Sequence, residues 1–196
     1  MKCWEKPKMV EKIRSFIAVD IEDKSLQDKI VILQQDLMGT GANLKFVEPE
    51  NLHLTLRFLG EIPSSILEQV CRELKTLKFN VFNLNLQGVG AFPNLRRINV
   101  VWVGVKEGAE NLKQIAQKVE LTVRKLGFPP DPKGFSPHLT IARLKTGKNK
   151  DKLASFLENF QDYEVGWMIV NTIKVKKSTL TPKGPIYTTI ETIPAV

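Results

Sequence analysis

The chain has 196 residues, of which 42% are hydrophobic and 26% are charged, and its formal net charge is +8. These values predict a folded globular protein with a substantial core, and the charge permits a polyanionic partner such as RNA. Two cysteines, Cys3 and Cys71, lie in no metal-binding pattern, which fits a reducing cytoplasm. No apolar run approaches the roughly 20 residues of a membrane-spanning helix, so we expect neither a membrane partner nor a signal peptide.

The predicted elements alternate between strands and helices along the chain. Residues 1–13 are expected to form a polar N-terminal extension, and residues 14–196 a single two-lobed domain. Apolar spacing of two residues predicts strands at 14–21, 52–59, 81–89, 98–105, 138–144, 164–180 and 186–193. Spacing of three to four residues predicts helices at 24–38, 64–78, 111–126 and 151–160. Several strand pairs lack an intervening helix, which favours an α+β fold with antiparallel sheets over a doubly wound fold.

One short pattern occurs twice. The chain contains only two histidines, His53 and His138, and each is followed by Leu-Thr. A single histidine on a strand is most often structural, but two histidines in matching tripeptides argue strongly against that interpretation. Each copy also follows an earlier strand–helix unit, as a duplicated two-lobed architecture would place it.

The spacing within each copy predicts which side chains lie together. Residues i and i+2 of a strand point to the same face. His53 should therefore share a polar face with Thr55 and Arg57, and His138 should share a face with Thr140. Two such strands on a common groove would offer two imidazoles and two hydroxyls.

This set of side chains suits the cleavage of a phosphate ester. One neutral imidazole can accept a proton while the other, protonated, donates one. In-line attack on phosphorus needs the base and the acid on opposite sides, which two related lobes would provide. The threonine hydroxyls can bind the charged non-bridging oxygens. We therefore expect no cofactor and no metal, and the sequence contains no convincing cluster of metal ligands.

The two copies carry a family resemblance. His53-Leu54-Thr55 and His138-Leu139-Thr140 resemble the paired His-x-Thr-x (HxTx) motifs of the two-histidine (2H) phosphoesterase superfamily. The wider pattern resembles its bacterial and archaeal branch, the RNA 2′,3′-cyclic phosphodiesterase or 2′–5′ RNA ligase family. The supporting stretches are 14–18, 51–61, 90–94, 136–143 and 178–187. Together they extend over nearly everything from residue 14 onward.

The resemblance implies both a fold and an activity. The implied fold is bilobal, with two antiparallel sheets and flanking helices related by a pseudo-two-fold around a central cleft. The implied enzyme uses His53 and His138 to hydrolyse RNA 2′,3′-cyclic phosphate ends to 2′-phosphates. It also implies reversible, ATP-independent joining of tRNA halves through a 2′–5′ bond. We expect RNA as the partner and a cytoplasmic monomer as the working state.

Two arginines near the motifs are candidates for binding the substrate phosphate, together with Thr55 and Thr140. The resemblance gives Arg143 this role, but strict alternation puts it on the face opposite His138. The role therefore requires the strand to end or bulge before Arg143. Alternation places Arg57 on the catalytic face, where it could bind phosphate or pair with Glu61.

Two aromatic side chains are candidates for stacking on a base. Phe58 and Phe135 flank the two motifs, and an aromatic ring can stack on any base because every base has a π-face. An aromatic side chain beside a strand more often belongs to the core.

Other classes of protein fit the sequence less well. The leading alternative is a non-catalytic RNA-binding protein on the same fold, but a binder does not need both acid–base partners. A nucleotide-dependent ligase is disfavoured because neither a Lys-x-Asp-Gly motif nor a phosphate-binding loop is present. Within the favoured reaction, we expect His53 to act as the acid for the departing 3′ oxygen and His138 as the base for water.

Overall fold

The structure is a computed structural model that describes residues 11–182 and 184–196. Its strands are Lys12–Asp20 (β1), Leu44–Phe46 (β2), His53–Pro63 (β3), Phe82–Asn94 (β4), Arg97–Val105 (β5), His138–Leu144 (β6), Glu164–Val170 (β7), Thr172–Thr181 (β8) and Gly184–Pro194 (β9). Its helices are Lys24–Gly39 (α1), Ser64–Leu74 (α2), Ala109–Lys125 (α3) and Lys150–Asn159 (α4), with a 3₁₀ turn at Pro49–Asn51.

The strands of the described residues form one curled antiparallel sheet with the order β7-β4-β5-β6-β3-β1-β8-β9 and with β2 beside β6. Its two four-stranded halves, β7-β4-β5-β6 and β3-β1-β8-β9, meet between β6 and β3 at a single residue pair, Leu54 with Leu139. The predicted α+β class is confirmed. The two predicted antiparallel sheets are found as the two halves of one sheet.

The chain also crosses directly from one half to the other at Asn171. The sequence predicts a single strand region over 164–180, whereas the structure divides it into β7 and β8 on either side of this residue. The division occurs because β7 pairs with β4 and β8 pairs with β1. The halves are thus linked both at the β3–β6 contact and through the β7–β8 connection.

The helices cover the face of the sheet that carries the core. Helix α1 begins after Asp23, whose carboxylate accepts a hydrogen bond from the backbone N–H of Leu26 at 2.9 Å. Its buried residues recur at three-to-four spacing, as do those of α3, and they pack with Leu54 and Leu139 from the centre of the sheet. Since this face is covered, the opposite face of β3 and β6 remains available for a site.

The predicted order of strands and helices is confirmed, with small differences in the boundaries. Strand β1 begins at Lys12, two residues before the predicted limit, and α2 ends at Leu74, before the predicted residue 78. Strand β2 was not predicted because three residues are too few to show a periodicity. Residues 1–10 of the predicted extension lie outside the described residues. Within the described residues, no helix has the length and apolar character needed to cross a membrane.

Candidate active site

The two histidines lie on the central strands, where the halves of the sheet meet. Leu54 of β3 pairs with Leu139 of β6 in antiparallel orientation, and both side chains are fully buried. The residues on either side of this pair therefore point to the opposite, uncovered face. In this register His53 lies beside Thr140, and His138 lies beside Thr55. The two motifs thus share one candidate site, in which this register places each histidine opposite the threonine of the other motif.

Both imidazole rings are held in the same way. The Nδ1 atom of His53 lies 2.7 Å from the carbonyl oxygen of Asn51, and Nδ1 of His138 lies 2.7 Å from that of Ser136. A carbonyl can only accept, so Nδ1 carries the hydrogen and donates it in each ring. The Nε2 atom is therefore the one that can accept or donate a proton in the reaction.

The surroundings lower the pKa of both histidines below the ordinary value of 6.5. Burial is the largest cause for each ring, because it disfavours the charged form. Around His53, the hydrogen bond to the Asn51 carbonyl and, to a smaller degree, the Asp20 carboxylate raise the pKa, while the Lys176 ammonium lowers it further. Around His138, the Arg143 guanidinium lowers the pKa further. The neighbouring charges therefore differ between the two rings.

A β-bulge interrupts the first motif after its threonine. Thr55 and Arg57 pair with consecutive residues of β1, so Leu56 between them has no partner. As a result Leu56 and Arg57 are both buried on the core side. Phe58 returns to the histidine face, where it is 59% exposed.

The expectation that Arg57 shares the face of His53 is therefore wrong. The bulge turns its side chain to the side covered by α3, where the guanidinium Nε lies 2.7 Å from a carboxylate oxygen of Glu120. A second ion pair joins Arg57 to Asp131 at 3.6 Å, and its Nη2 donates to the carbonyl of Pro129. Arg57 therefore pairs with Glu120 and Asp131 and not with Glu61, and these contacts give it a structural role.

The second motif contains a β-bulge at the same distance from its histidine. Thr140 and Ala142 pair with consecutive residues of β5, which leaves Ile141 without a partner. Ile141 and Ala142 are both fully buried, and the exposed Arg143 returns to the face of His138. The bulge that a phosphate-binding role of Arg143 required is present.

Aromatic side chains surround His53 on the open face. The ring of Phe16 lies 4.9 Å from the imidazole between centroids, and the ring of Tyr187 lies 5.2 Å away, edge to face. Phe58 lies 6.1 Å from Phe16 and is largely exposed, so the expectation that it belongs to the core is wrong. Phe135, the other stacking candidate, is half-buried and packs against the hydrophobic core.

A second aromatic pair lies beside His138. Phe92 packs edge to face on the imidazole at 4.8 Å, and Trp102 lies 5.3 Å from Phe92. The indole ring of Trp102 crosses Gly90, where a Cβ atom would approach it to 2.4 Å. These residues and Phe16 are not among the predicted site residues, because only the pairing between strands places them next to a histidine. From the sequence, the alternation of side chains could at most have shown on which face of its own strand each aromatic residue lies.

The LigT-like phosphoesterase family model matches residues 19–102 and again residues 103–187. The chain belongs to this family. Each matched segment contains one of the two histidines, as expected for a duplicated phosphoesterase. The predicted resemblance to the 2H phosphoesterases is thereby confirmed.

Several relatives of this phosphoesterase are named RNA 2′,3′-cyclic phosphodiesterase. The RNA 2′,3′-cyclic phosphodiesterase of Methanothermobacter thermautotrophicus is 41% identical over 92% of this chain and 97% of its own length. A protein of that name from Aquifex aeolicus is 41% identical over 75% of this chain and 79% of its own length.

Solved structures share the fold. A structure from Thermus thermophilus has a TM-score of 0.77 at 29% identity and covers 93% of this chain and 97% of its own. Apo LigT from E. coli has a TM-score of 0.76 at 22% identity and covers 95% of this chain and 99% of its own. At that identity, the likeness to E. coli LigT shows a shared fold alone.

Proposed function

We propose that this phosphoesterase hydrolyses RNA ends that carry a 2′,3′-cyclic phosphate and leaves a 2′-phosphate on the RNA. One observation carries the proposal: two imidazoles, each fixed through Nδ1, lie on the uncovered face of β3 and β6, where the two motifs meet. The name of the relatives at 41% identity supports the substrate class. E. coli LigT, which shares the fold, has been solved in complex with 3′-AMP.

The proposed reaction needs only proton transfers and one displacement at phosphorus. The neutral Nε2 of His138 accepts a proton from water as the water oxygen attacks phosphorus. The bond between phosphorus and the 3′ oxygen breaks, and the protonated Nε2 of His53 donates its proton to that oxygen. The hydroxyls of Thr55 and Thr140 and the guanidinium of Arg143 hold the non-bridging oxygens, where charge develops.

The charges around the rings support this division of roles. The Arg143 guanidinium disfavours a second positive charge, so it favours the neutral form of His138 that a base requires. The Asp20 carboxylate favours the protonated form of His53 that an acid requires.

The same residues could join RNA ends without ATP. If a 5′-hydroxyl takes the place of water, His138 removes its proton and the same bond to the 3′ oxygen breaks. The product is a 2′–5′ diester with a free 3′-hydroxyl, and the reverse reaction cleaves it. In this scheme the imidazoles perform both proton transfers, so hydrolysis and joining of tRNA halves proceed without a metal ion.

We further propose that Phe58 stacks on a base of the RNA. Its ring is exposed on the histidine face, and the bulge holds it near Phe16. Stacking on an aromatic side chain contributes about 1–3 kcal/mol per base. Phe135 is a weaker candidate because it packs against the core.

The decisive experiment is incubation with RNA that ends in a 2′,3′-cyclic phosphate, in the presence of EDTA, with identification of the phosphate position. We expect a 2′-phosphate and an unchanged rate in EDTA. Loss of turnover that a divalent cation restores would contradict the mechanism, and a 3′-phosphate would show that the leaving oxygen is misassigned. RNA binding without turnover would instead support the non-catalytic alternative.

A further inference from the structure

We propose that Asp20, held in place by Lys176 and Lys174, is a positioning residue that favours the proton-donating form of His53 against the effect of burial. The inference rests on the proposed function, because only the acid of the reaction must be protonated. Asp20 is the last residue of β1 and pairs directly with His53 of β3. Side chains of directly paired residues have Cβ atoms about 5 Å apart on the same face. Its carboxylate therefore lies beside the imidazole.

The carboxylate is the centre of a buried ion cluster. Oδ2 of Asp20 lies 2.6 Å from Nζ of Lys176 and 3.3 Å from Nζ of Lys174. The side chains are only 13%, 7% and 12% exposed, in the order Asp20, Lys176 and Lys174. Oδ1 of Asp20 is buried and accepts no hydrogen bond from the described residues. Charges so far from water are retained only when they are paired, so the position of the carboxylate depends on the two lysines.

The other half of the sheet shows that the fold does not require this cluster. There, Gly104 pairs with His138 at the position that corresponds to Asp20. In the sheet, β6 is followed by β5 and β4, just as β3 is followed by β1 and β8. In this correspondence Phe92 of β4 takes the place of Lys176 of β8. The same strand pairs therefore form without any of these charges. The ion cluster is a feature of the first histidine's surroundings and not of the sheet.

The groups that face His53 come from four strands. Asp20 on β1 raises its pKa, whereas Lys176 on β8 and His138 on β6 lower it. Tyr187 on β9 adds no charge near neutral pH, because burial raises the pKa of its phenol above 10. Burial of the imidazole is the largest effect and favours the neutral ring, which cannot donate a proton. Two groups oppose it, first the carbonyl of Asn51 that accepts the Nδ1 hydrogen bond and then the carboxylate of Asp20.

A titration of the two histidines by NMR tests the inference without substrate, so it succeeds or fails independently of the proposed reaction. The chain has only two histidines, and His138→Gln assigns the two curves. We expect Asp20→Asn to lower the pKa of His53 by about one unit. In Lys176→Met the carboxylate still pairs with Lys174, so loss of the Lys176 ammonium should raise the pKa of His53. The curve of His138 should not move in either variant.

Activity supplies the second measurement. If the acid of the reaction is His53, Asp20→Asn should lose about tenfold in kcat/KM at pH 7 and recover activity as the pH is lowered. A variant that is only misfolded would not recover. The control is Glu22→Gln, because Glu22 also pairs with Lys174 but is 68% exposed. This variant should leave the curve of His53 unchanged.

A double variant covers the case in which Asp20→Asn alone does not fold. Asp20→Asn with Lys176→Met removes both charges at once and leaves no unpaired partner between them. The pKa of His53 should then lie between those of the two single variants. An unmoved His53 curve in Asp20→Asn, or shifts of the same sign in both single variants, would overturn the proposal.

Discussion

At the scale of single residues, each histidine presents only one nitrogen for the proposed catalysis. Nδ1 of both rings donates to a carbonyl two residues earlier in the chain, which fixes the orientation and the neutral tautomer. In the proposed reaction, the proton must therefore enter or leave through Nε2. Because both rings are also buried enough to lower their pKa, protonation of either is sensitive to its nearest charges.

The first prediction concerns the pH dependence. Since the pKa of both histidines is lowered, the bell-shaped profile of kcat/KM should have its centre below pH 6.5. His53→Ala should remove one arm of the bell and His138→Ala the other, and each should lower the rate about 10²–10⁴-fold. Near-normal turnover in both variants, with RNA that ends in a cyclic phosphate, would place the active site elsewhere.

The second prediction concerns the threonines. Thr55→Val and Thr140→Val keep the shape of the side chain but remove the hydroxyl. A hydrogen bond to a charged oxygen is worth about 1.5–3 kcal/mol, so each variant should lose roughly 10- to 150-fold in kcat/KM. Thr188→Val is the control, because Thr188 is an exposed residue of β9. Equal values of kcat/KM in all three variants would contradict a role of the two hydroxyls in binding the phosphate.

At the scale of elements, the two β-bulges decide which side chains reach the cleft. Alternation correctly predicts that each histidine shares a face with the threonine two residues later, opposite a buried leucine. It fails beyond the threonines, where a bulge exchanges the faces of Arg57 and Phe58 in one motif and brings Arg143 into position in the other. A bulge depends on the partner strand, so the sequence of one strand cannot reveal it.

The third prediction compares the two arginines. Arg57→Met should destabilise the protein by about 3 kcal/mol, since it leaves Glu120 and Asp131 without their cation. Arg143→Met should keep the stability, because Arg143 is exposed, but lower kcat/KM at least tenfold if it binds phosphate. Urea unfolding and steady-state kinetics on both variants separate the two effects. A loss of activity at full stability in Arg57→Met would contradict its structural assignment.

At the scale of the whole molecule, local periodicity predicts the order of the elements but not their partners. The helices and most strands lie close to the predicted ranges, because each shows its buried face in its own sequence. The division of the last long strand region at Asn171 could not be predicted, since its two parts pair with strands in different halves. The sequence also shows two similar motifs without showing how the repeats share the sheet.

The two repeats share the sheet by exchanging strands. Apart from the short strand β2 in the first repeat, the order β1-α1-β3-α2-β4 recurs as β5-α3-β6-α4-β8, with β7 inserted before β8. Strand β4 pairs with β5, and β8 pairs with β1, so each half takes one of these strands from the other repeat. The fourth prediction follows: fragments 1–95 and 96–196 should each fail to fold alone and should regain activity when they are mixed. Circular dichroism and the cyclic phosphate assay measure both, and independent folding of either fragment would contradict it.

The two repeats of this single chain exchange strands in the way that the two subunits of a strand-swapped dimer do. A chain of half the length would complete the same cleft only by meeting a second copy, and its activity would fall as the protein was diluted. Covalent connection through the turn between β4 and β5 makes the encounter intramolecular, with an effective concentration set by that short turn. The proposed proton donor and proton acceptor therefore stay together at any concentration of the protein.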